Sequence, residues 1–463
     1  MLQPNGDDQC SIYNNSFTGT YYTTPPSNSS ELQCSYGRKF LTEKFSTVVS
    51  EFDLVCERKW LKSTLQSVYF AGYLVGSIVF GALSDRFGRR PIILLANICL
   101  VVSGVIKIFV PSLIIFLVLL WIQAAGHTGS FLIAFALTVE STPSKIRTPI
   151  NFWYMSLYPS GVIFVVAFAY AISNWHYLEL AGCLLPVINC FIWMFLPESP
   201  RWLIGRKRFT EAKALFRKIM KKNKKENLKM LDIFTNNAEE TSFKNSLQEN
   251  ISEGKDLPKV KNYTFIDLFK SWWIALITLN ICFCWMVCSM LYYGVLLNSV
   301  DMAGNRYINF LLMQIADLPA NFFAHYLLNH FDHRKSTSLF LMFSGLNCIV
   351  SNFVTKGSSW FPLILVVLGK LGISAAFGSI YLLSAEIFPT VVRTNSLGVA
   401  SMCARISGIC APFILLLSSY VRWLPLSIYG ALSVISGMLL LLLPKTNDKD
   451  LPQNFEDLDN LKT

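Results

Sequence analysis

The pattern Glu-x-x-Pro-x-x-x-Arg occurs twice in this chain, as Glu140–Arg147 and as Glu386–Arg393, 246 residues apart. Each copy sits at the exit of an apolar run. A repeat at that distance, embedded in hydrophobic segments, predicts two homologous membrane bundles in one polypeptide. Two further pairs keep nearly the same spacing. The loop Gly81–Pro91 aligns with a degraded copy, Leu327–Ser336, and Leu196-Pro-Glu-Ser199 aligns with Leu443-Pro-Lys-Thr446.

Only 15% of the 463 residues are charged, against about 25% in an ordinary soluble domain. Apolar runs of about 18 residues read as membrane helices. Eleven are expected, at 64–83, 92–110, 113–135, 150–171, 177–196, 272–293, 306–328, 337–354, 361–383, 396–419 and 424–443. These divide the chain into a loop (1–60), a five-helix bundle (61–196), a long loop (197–270), a six-helix bundle (271–444) and a tail (445–463).

A net charge of +11 raises the question of nucleic acid, but the positions of the charges argue against it. Segment 197–270 holds 17 Lys/Arg against 10 Asp/Glu. The other basic clusters, Arg86 with Arg89 and Arg90, Lys145 with Arg147, Arg334 with Lys335, and Arg393, all fall in alternate loops. That asymmetry orients a protein in a bilayer, with the long loop and the tail cytoplasmic and residues 1–60 outside. Sequons at Asn14 and Asn28 agree with an outside loop, as do Cys10, Cys34 and Cys56. The span matching 272–293 would fall near 26–47, which is too polar to cross a membrane. The expectation is therefore a chain lacking one helix upstream.

The loop Gly81-x-x-x-Asp85-Arg86-x-Gly88-Arg89-Arg90 resembles the signature of the major facilitator superfamily, an all-α fold of two pseudo-symmetric bundles that rock about a central site. Glu51–Trp60, Cys34–Gly37, Leu451-Pro452 and Gly369–Pro412 resemble the organic cation, anion and carnitine transporters, especially the carnitine-type branch. The resemblance implies a plasma-membrane transporter of a small organic ion or zwitterion working by alternating access. A coupling ion such as sodium or a proton is a possible partner. It assigns gating roles to Asp85, Arg86, Gly88, Arg89, Arg90, Glu140, Arg147, Glu198, Arg201, Glu386 and Arg393. The alternatives are a general organic cation or anion transporter, and a truncated, non-transporting membrane protein.

Ionisable residues inside a membrane are candidate functional groups. Asp317, Lys370 and Arg405 lie well inside the C-terminal half. Asp317 and Lys370 are expected to pair, because a lone buried charge is costly. Arg405 is then left over, and a guanidinium suits a substrate carboxylate. The resemblance adds that anion and carnitine-type members carry arginine at that position, whereas cation members typically carry aspartate. Anion transporters often carry lysine where this chain has Asn321, which favours a monoanion or zwitterion over a dianion. Gln314 shares the helix face of Asp317 and Asn321. The tyrosines Tyr69, Tyr73, Tyr154, Tyr158, Tyr292 and Tyr381, with Trp285, could form an aromatic wall for a quaternary ammonium. Lys107 is expected to snorkel outward and His127 to pack against neighbours, with a proton role as the weaker alternative. No nucleotide-binding loop, metal-ligand cluster or nucleophile constellation occurs, so neither an enzyme nor a cofactor is expected.

Overall fold

The computed structural model describes residues 46–222, 268–269, 272–302, 304–354, 360–388 and 393–444, together with two short antiparallel strands, β1 (Ser11–Tyr13) and β2 (Glu31–Gln33). Asn14, Asn28, Cys10, Cys34 and the tail lie outside the described residues, as do the side chains of Arg147 and Arg393.

After a short helix, α1 (Val48–Glu51), the N-terminal half contains α2 (Trp60–Phe87), α3 (Arg89–Ile108), α4 (Leu113–Ser141), α5 (Ser144–Ala171) and α6 (Trp175–Ile192). Two amphipathic helices follow, α7 (Pro200–Gly205) and α8 (Phe209–Lys222). The C-terminal half contains α9 (Trp272–Asn298), α10 (Arg306–Ile315), α11 (Asp317–His330), α12 (His333–Phe353), α13 (Trp360–Ile387), α14 (Arg393–Leu416) and α15 (Leu424–Leu440). Helices of 28 residues such as α2, α5 and α13 are about 42 Å long at 1.5 Å per residue, enough to cross a bilayer. Among the described residues eight helices are long and apolar enough to span. Within α5 the apolar part is the shorter stretch Leu157–Ala171, and α15 is also short.

One expectation is corrected. The run 306–328 is not a continuous helix but two, α10 and α11, divided at Ala316. Pro319 is the third residue of α11. It has no N–H to give the Ile315 carbonyl, and its ring crowds that carbonyl, so the hydrogen-bond ladder is interrupted there, although Ala316 itself keeps helical backbone angles.

Within each half the helices pack as the repeat requires: α3 against α4 and α6, and α12 against α13 and α15. The halves meet along two seams, α2 against α14 and α10 against α5. Offset by one half, α2 corresponds to α10–α11 and α5 to α14, so the two seams are the same contact made twice. Small residues allow the closest approaches. A Cβ on Gly345 would strike the Gly430 carbonyl, and a Cβ on Gly430 the Gly345 carbonyl. The C-terminal half has the larger core, around Trp285, Leu291, Ile373 and Tyr429. The N-terminal core is smaller, around Phe80, Ala96 and Ile133. Large apolar side chains such as Phe164, Leu185, Phe322 and Leu339 are exposed, as a surface solvated by lipid tails permits.

Candidate functional site

The basic residues Arg86, Arg89, Arg90 and Arg334 gather at one end of the bundles, called here the basic end. Contacts across the seams lie nearer the opposite, far end. Ser67 Oγ donates to the Ile409 carbonyl at 2.7 Å. The rings of Phe70 and Tyr293 stand 4.6 Å apart, and those of Tyr170 and Tyr307 5.7 Å apart. Beneath these contacts, about midway along their helices, polar side chains of both halves converge.

Arg405, twelve residues into α14, is half-buried and makes no hydrogen bond or ion pair among the described residues. Its guanidinium is within electrostatic reach of Tyr293 and Tyr381. Tyr158 is within reach of Tyr69, Tyr293 and Asp317. Tyr158 and Tyr381 remain 42% and 47% exposed although they lie deep in the bundles. Side chains that are accessible yet enclosed line a cavity. Tyr69 and Tyr73 adjoin it from α2, their hydroxyls 3.1 Å apart.

Asp317 and Lys370 are both buried, and Lys370 Nζ lies 3.2 Å from Asp317 Oδ1. The ammonium is at ion-pair distance but off the axis of a hydrogen bond to the carboxylate. It sits instead over the Tyr292 ring, 2.9 Å from its centroid. The carboxylate accepts from the Tyr292 hydroxyl at 2.7 Å and from the Ser374 hydroxyl. Two hydroxyl donors and one ammonium, carried by α9 and α13, therefore surround the Asp317 carboxylate. One turn earlier Gln314 is fully buried, with neither amide atom hydrogen-bonded among the described residues.

Some expected wall residues stand elsewhere. Trp285 is buried behind Tyr381 and donates to Ser384 Oγ at 2.9 Å. Tyr154 donates to the Phe131 carbonyl at 2.8 Å and packs on Phe131 and Phe135, inside its own half. Asn321 is half-buried on α11. A second correction concerns Lys107, which does not snorkel. It is 4% exposed, with Nζ 2.6 Å from Gln123 Oε1 and 3.1 Å from Glu179 Oε1. Glu179 lies in the fifth apolar run, and α3–α6 packing brings it to the lysine, so the snorkel had no reason to form.

At the basic end Arg89 binds Glu140 through two hydrogen bonds, of 2.8 and 3.2 Å. It also pairs with Asp85 at 2.8 Å and donates to the Ser84 carbonyl. Gly88 links α2 to α3 at φ +107°, where a Cβ would sit 2.5 Å from Glu198 Oε2. That carboxylate accepts from the backbone N–H groups of Arg89, Arg90 and Ser199, capping α3 from a distance. Arg90 stacks on Trp193, whereas Arg86 and Arg201 are exposed. In the C-terminal half α12 begins with His333. Its Nδ1 is 2.7 and 2.9 Å from the two Glu386 oxygens, and its Nε2 is 3.0 Å from the Leu328 carbonyl. Sequence reasoning missed His333. An offset of 246 sets Arg89 against Lys335, and shifting it by two residues recovers the true partner.

Two pseudo-symmetric helical halves with a polar centre at mid-depth define a multi-pass transporter of the major facilitator fold. Residues 13–453 match the family described as "Sugar (and other) transporter", and the chain belongs to it, within the branch of organic cation and carnitine transporters. It is 32% identical to an organic cation transporter protein of Drosophila melanogaster, covering 98% of this chain and 82% of that one. It is 30% identical to human organic cation/carnitine transporter 2, covering 93% and 75%. An inward-open structure of the xylose transporter XylE from E. coli shares the fold, with TM-score 0.64 and 16% identity over 91% of this chain and 93% of that one.

Proposed function

We propose that the cavity carries carnitine-like zwitterions or organic monoanions across the plasma membrane, with the basic end and residues 197–270 in the cytoplasm. The supporting observation is the contrast between the two cationic side chains. Lys370 is neutralised by Asp317, whereas Arg405 is half-buried beside tyrosines without an ion-pair partner among the described residues. A carboxylate bound there meets a fork of donors. The trimethylammonium of a zwitterion would face Tyr69, Tyr73 and Tyr158, each desolvated cation–π contact contributing about 2 kcal/mol.

The test is uptake of labelled carnitine, a monocarboxylate and tetraethylammonium in cells expressing the chain. Arg405→Ala is expected to cut carnitine and monocarboxylate uptake at least tenfold and to spare tetraethylammonium. Unchanged carboxylate uptake would overturn the reading. The likeness to organic cation transporters favours a second one, a transporter of simple organic cations, for which the tyrosines alone would suffice. Arg405→Asp would then raise tetraethylammonium uptake.

A further inference from the structure

The N-terminal half contains a titratable side chain, His127, that substrate binding leaves unused, joined to the cavity by two of its tyrosines. His127 is half-buried at the centre of α4. Its Nδ1 lies 2.8 Å from the Tyr73 hydroxyl, and its ring lies nearly parallel to the Tyr73 ring, at 12°. The Tyr73 hydroxyl in turn lies 3.1 Å from that of Tyr69. Tyr69 and Tyr73 both contact Phe70, which meets Tyr293 across the seam. Three exchangeable groups therefore run in series from the interior of one half to the shared cavity.

Around His127 the charged groups are few, and from α3 the Cys99 side chain lies beside the neighbouring Gly126. On α4 itself, Gln123 lies one turn toward the far end on the same face. It joins Lys107 of α3 to Glu179 of α6, accepting from the lysine at 2.6 Å and donating to the carboxylate at 2.5 Å. That pair is internally neutral. From α2 come Tyr69 and Tyr73, and from α5 Tyr158, which is within reach of Tyr73. Among the described residues no carboxylate bonds to His127. No fixed charge therefore holds the ring in one state, and its protonation follows the supply of protons through the phenols.

We infer that His127, fed through Tyr69 and Tyr73, is the proton-carrying residue of the transport cycle. The transfer balances without a co-reactant. A hydronium in the cavity gives a proton to the Tyr69 oxygen, becoming water, as the Tyr69 proton moves to Tyr73. The Tyr73 proton moves to Nδ1, leaving both phenols neutral and the imidazole with one added positive charge. Release reverses each step. The charge arithmetic rests on the transport reading above. The empty cavity carries the single charge of Arg405. A monoanion and a proton taken up together leave that charge unchanged, so loaded and empty carriers reorient against the same field. A cation would instead be repelled by the protonated ring.

The experiment measures initial uptake at extracellular pH 5.5 and 7.5 with the membrane potential clamped, normalised to surface protein. In the wild type, acid is expected to raise monocarboxylate uptake at least fivefold and to lower tetraethylammonium uptake. His127→Gln should flatten both responses, and Tyr73→Phe, which keeps the ring but breaks the relay, should flatten them too. His127→Asn provides a second variant should the glutamine fail to reach the surface. A His127→Gln protein that keeps the wild-type ratio between the two pH values overturns the inference, as does a wild type with no pH response. Failure of the anion reading looks different. Arg405→Ala would then leave carboxylate uptake intact, while the tetraethylammonium response to acid would still depend on His127.

Discussion

At the basic end of the N-terminal half Arg89 holds Glu140. At the matching point of the C-terminal half His333 holds Glu386. Both ties join neighbouring helices within one half, and both start the helix that follows the signature loop. Their chemistry differs. A guanidinium is always charged and offers five donors, so Arg89 serves Glu140, Asp85 and Ser84 together. A neutral imidazole has one donor. Nδ1 of His333 faces a carboxylate and Nε2 faces a carbonyl, so one ring ties one acid where the Arg89 fork ties two. One half is fastened by a guanidinium and the other by an imidazole. The helix caps diverge in the same way. The α3 cap comes from Glu198, 109 residues away in sequence, whereas α12 is capped by its own neighbour Asp332, which accepts from the Arg334 N–H at 3.2 Å. Arg334 then reaches the carbonyls of Leu441 and Leu443.

The largest expected effect separates the halves by the depth of their charges. Lys370→Ala leaves the buried Asp317 uncompensated, at a cost of about 3–5 kcal/mol. Lys107→Ala leaves Glu179, which is 23% exposed and can be hydrated, so its cost is smaller. Thermal unfolding of the purified variants in one detergent checks the order, and equal losses would erase the distinction. Next in size are the caps. Glu198→Ala strands three backbone donors and Asp332→Ala one, so the first should exceed the second, within about 0.5–2 kcal/mol. Smallest is the His333 tie. His333→Ala removes the contact to Glu386, worth about 1 kcal/mol, whereas Arg89→Ala removes two hydrogen bonds to Glu140 and an ion pair with Asp85, so the second loss should be the larger. Melting temperatures of the two variants in one buffer read the difference.

The duplication was legible from Glu140 and Glu386, because a repeated ion-pairing motif must be repeated in register with its helices. The Asp317–Lys370 pair was legible because two opposite charges deep in apolar runs have few other options. Lys107 was misread because its partner Glu179 lies 72 residues on in another apolar run, and spacing along one helix does not show which helices pack together. His333 escaped because the loop is degraded and register there is set by where α12 starts, which sequence spacing leaves uncertain by a turn. The division of 306–328 was signalled by Pro319, but many membrane helices absorb a proline without breaking.

That division has a mechanical consequence. The α10 piece leans on the opposite half through Tyr307 and Tyr170, while the α11 piece packs on α13 of its own half. A stiff rod would force both to travel together. The hydrogen bond missing at Pro319 weakens the rod between those two attachments. The turn so weakened is the one that carries Asp317, so the buried ion pair sits where the helix resists bending least.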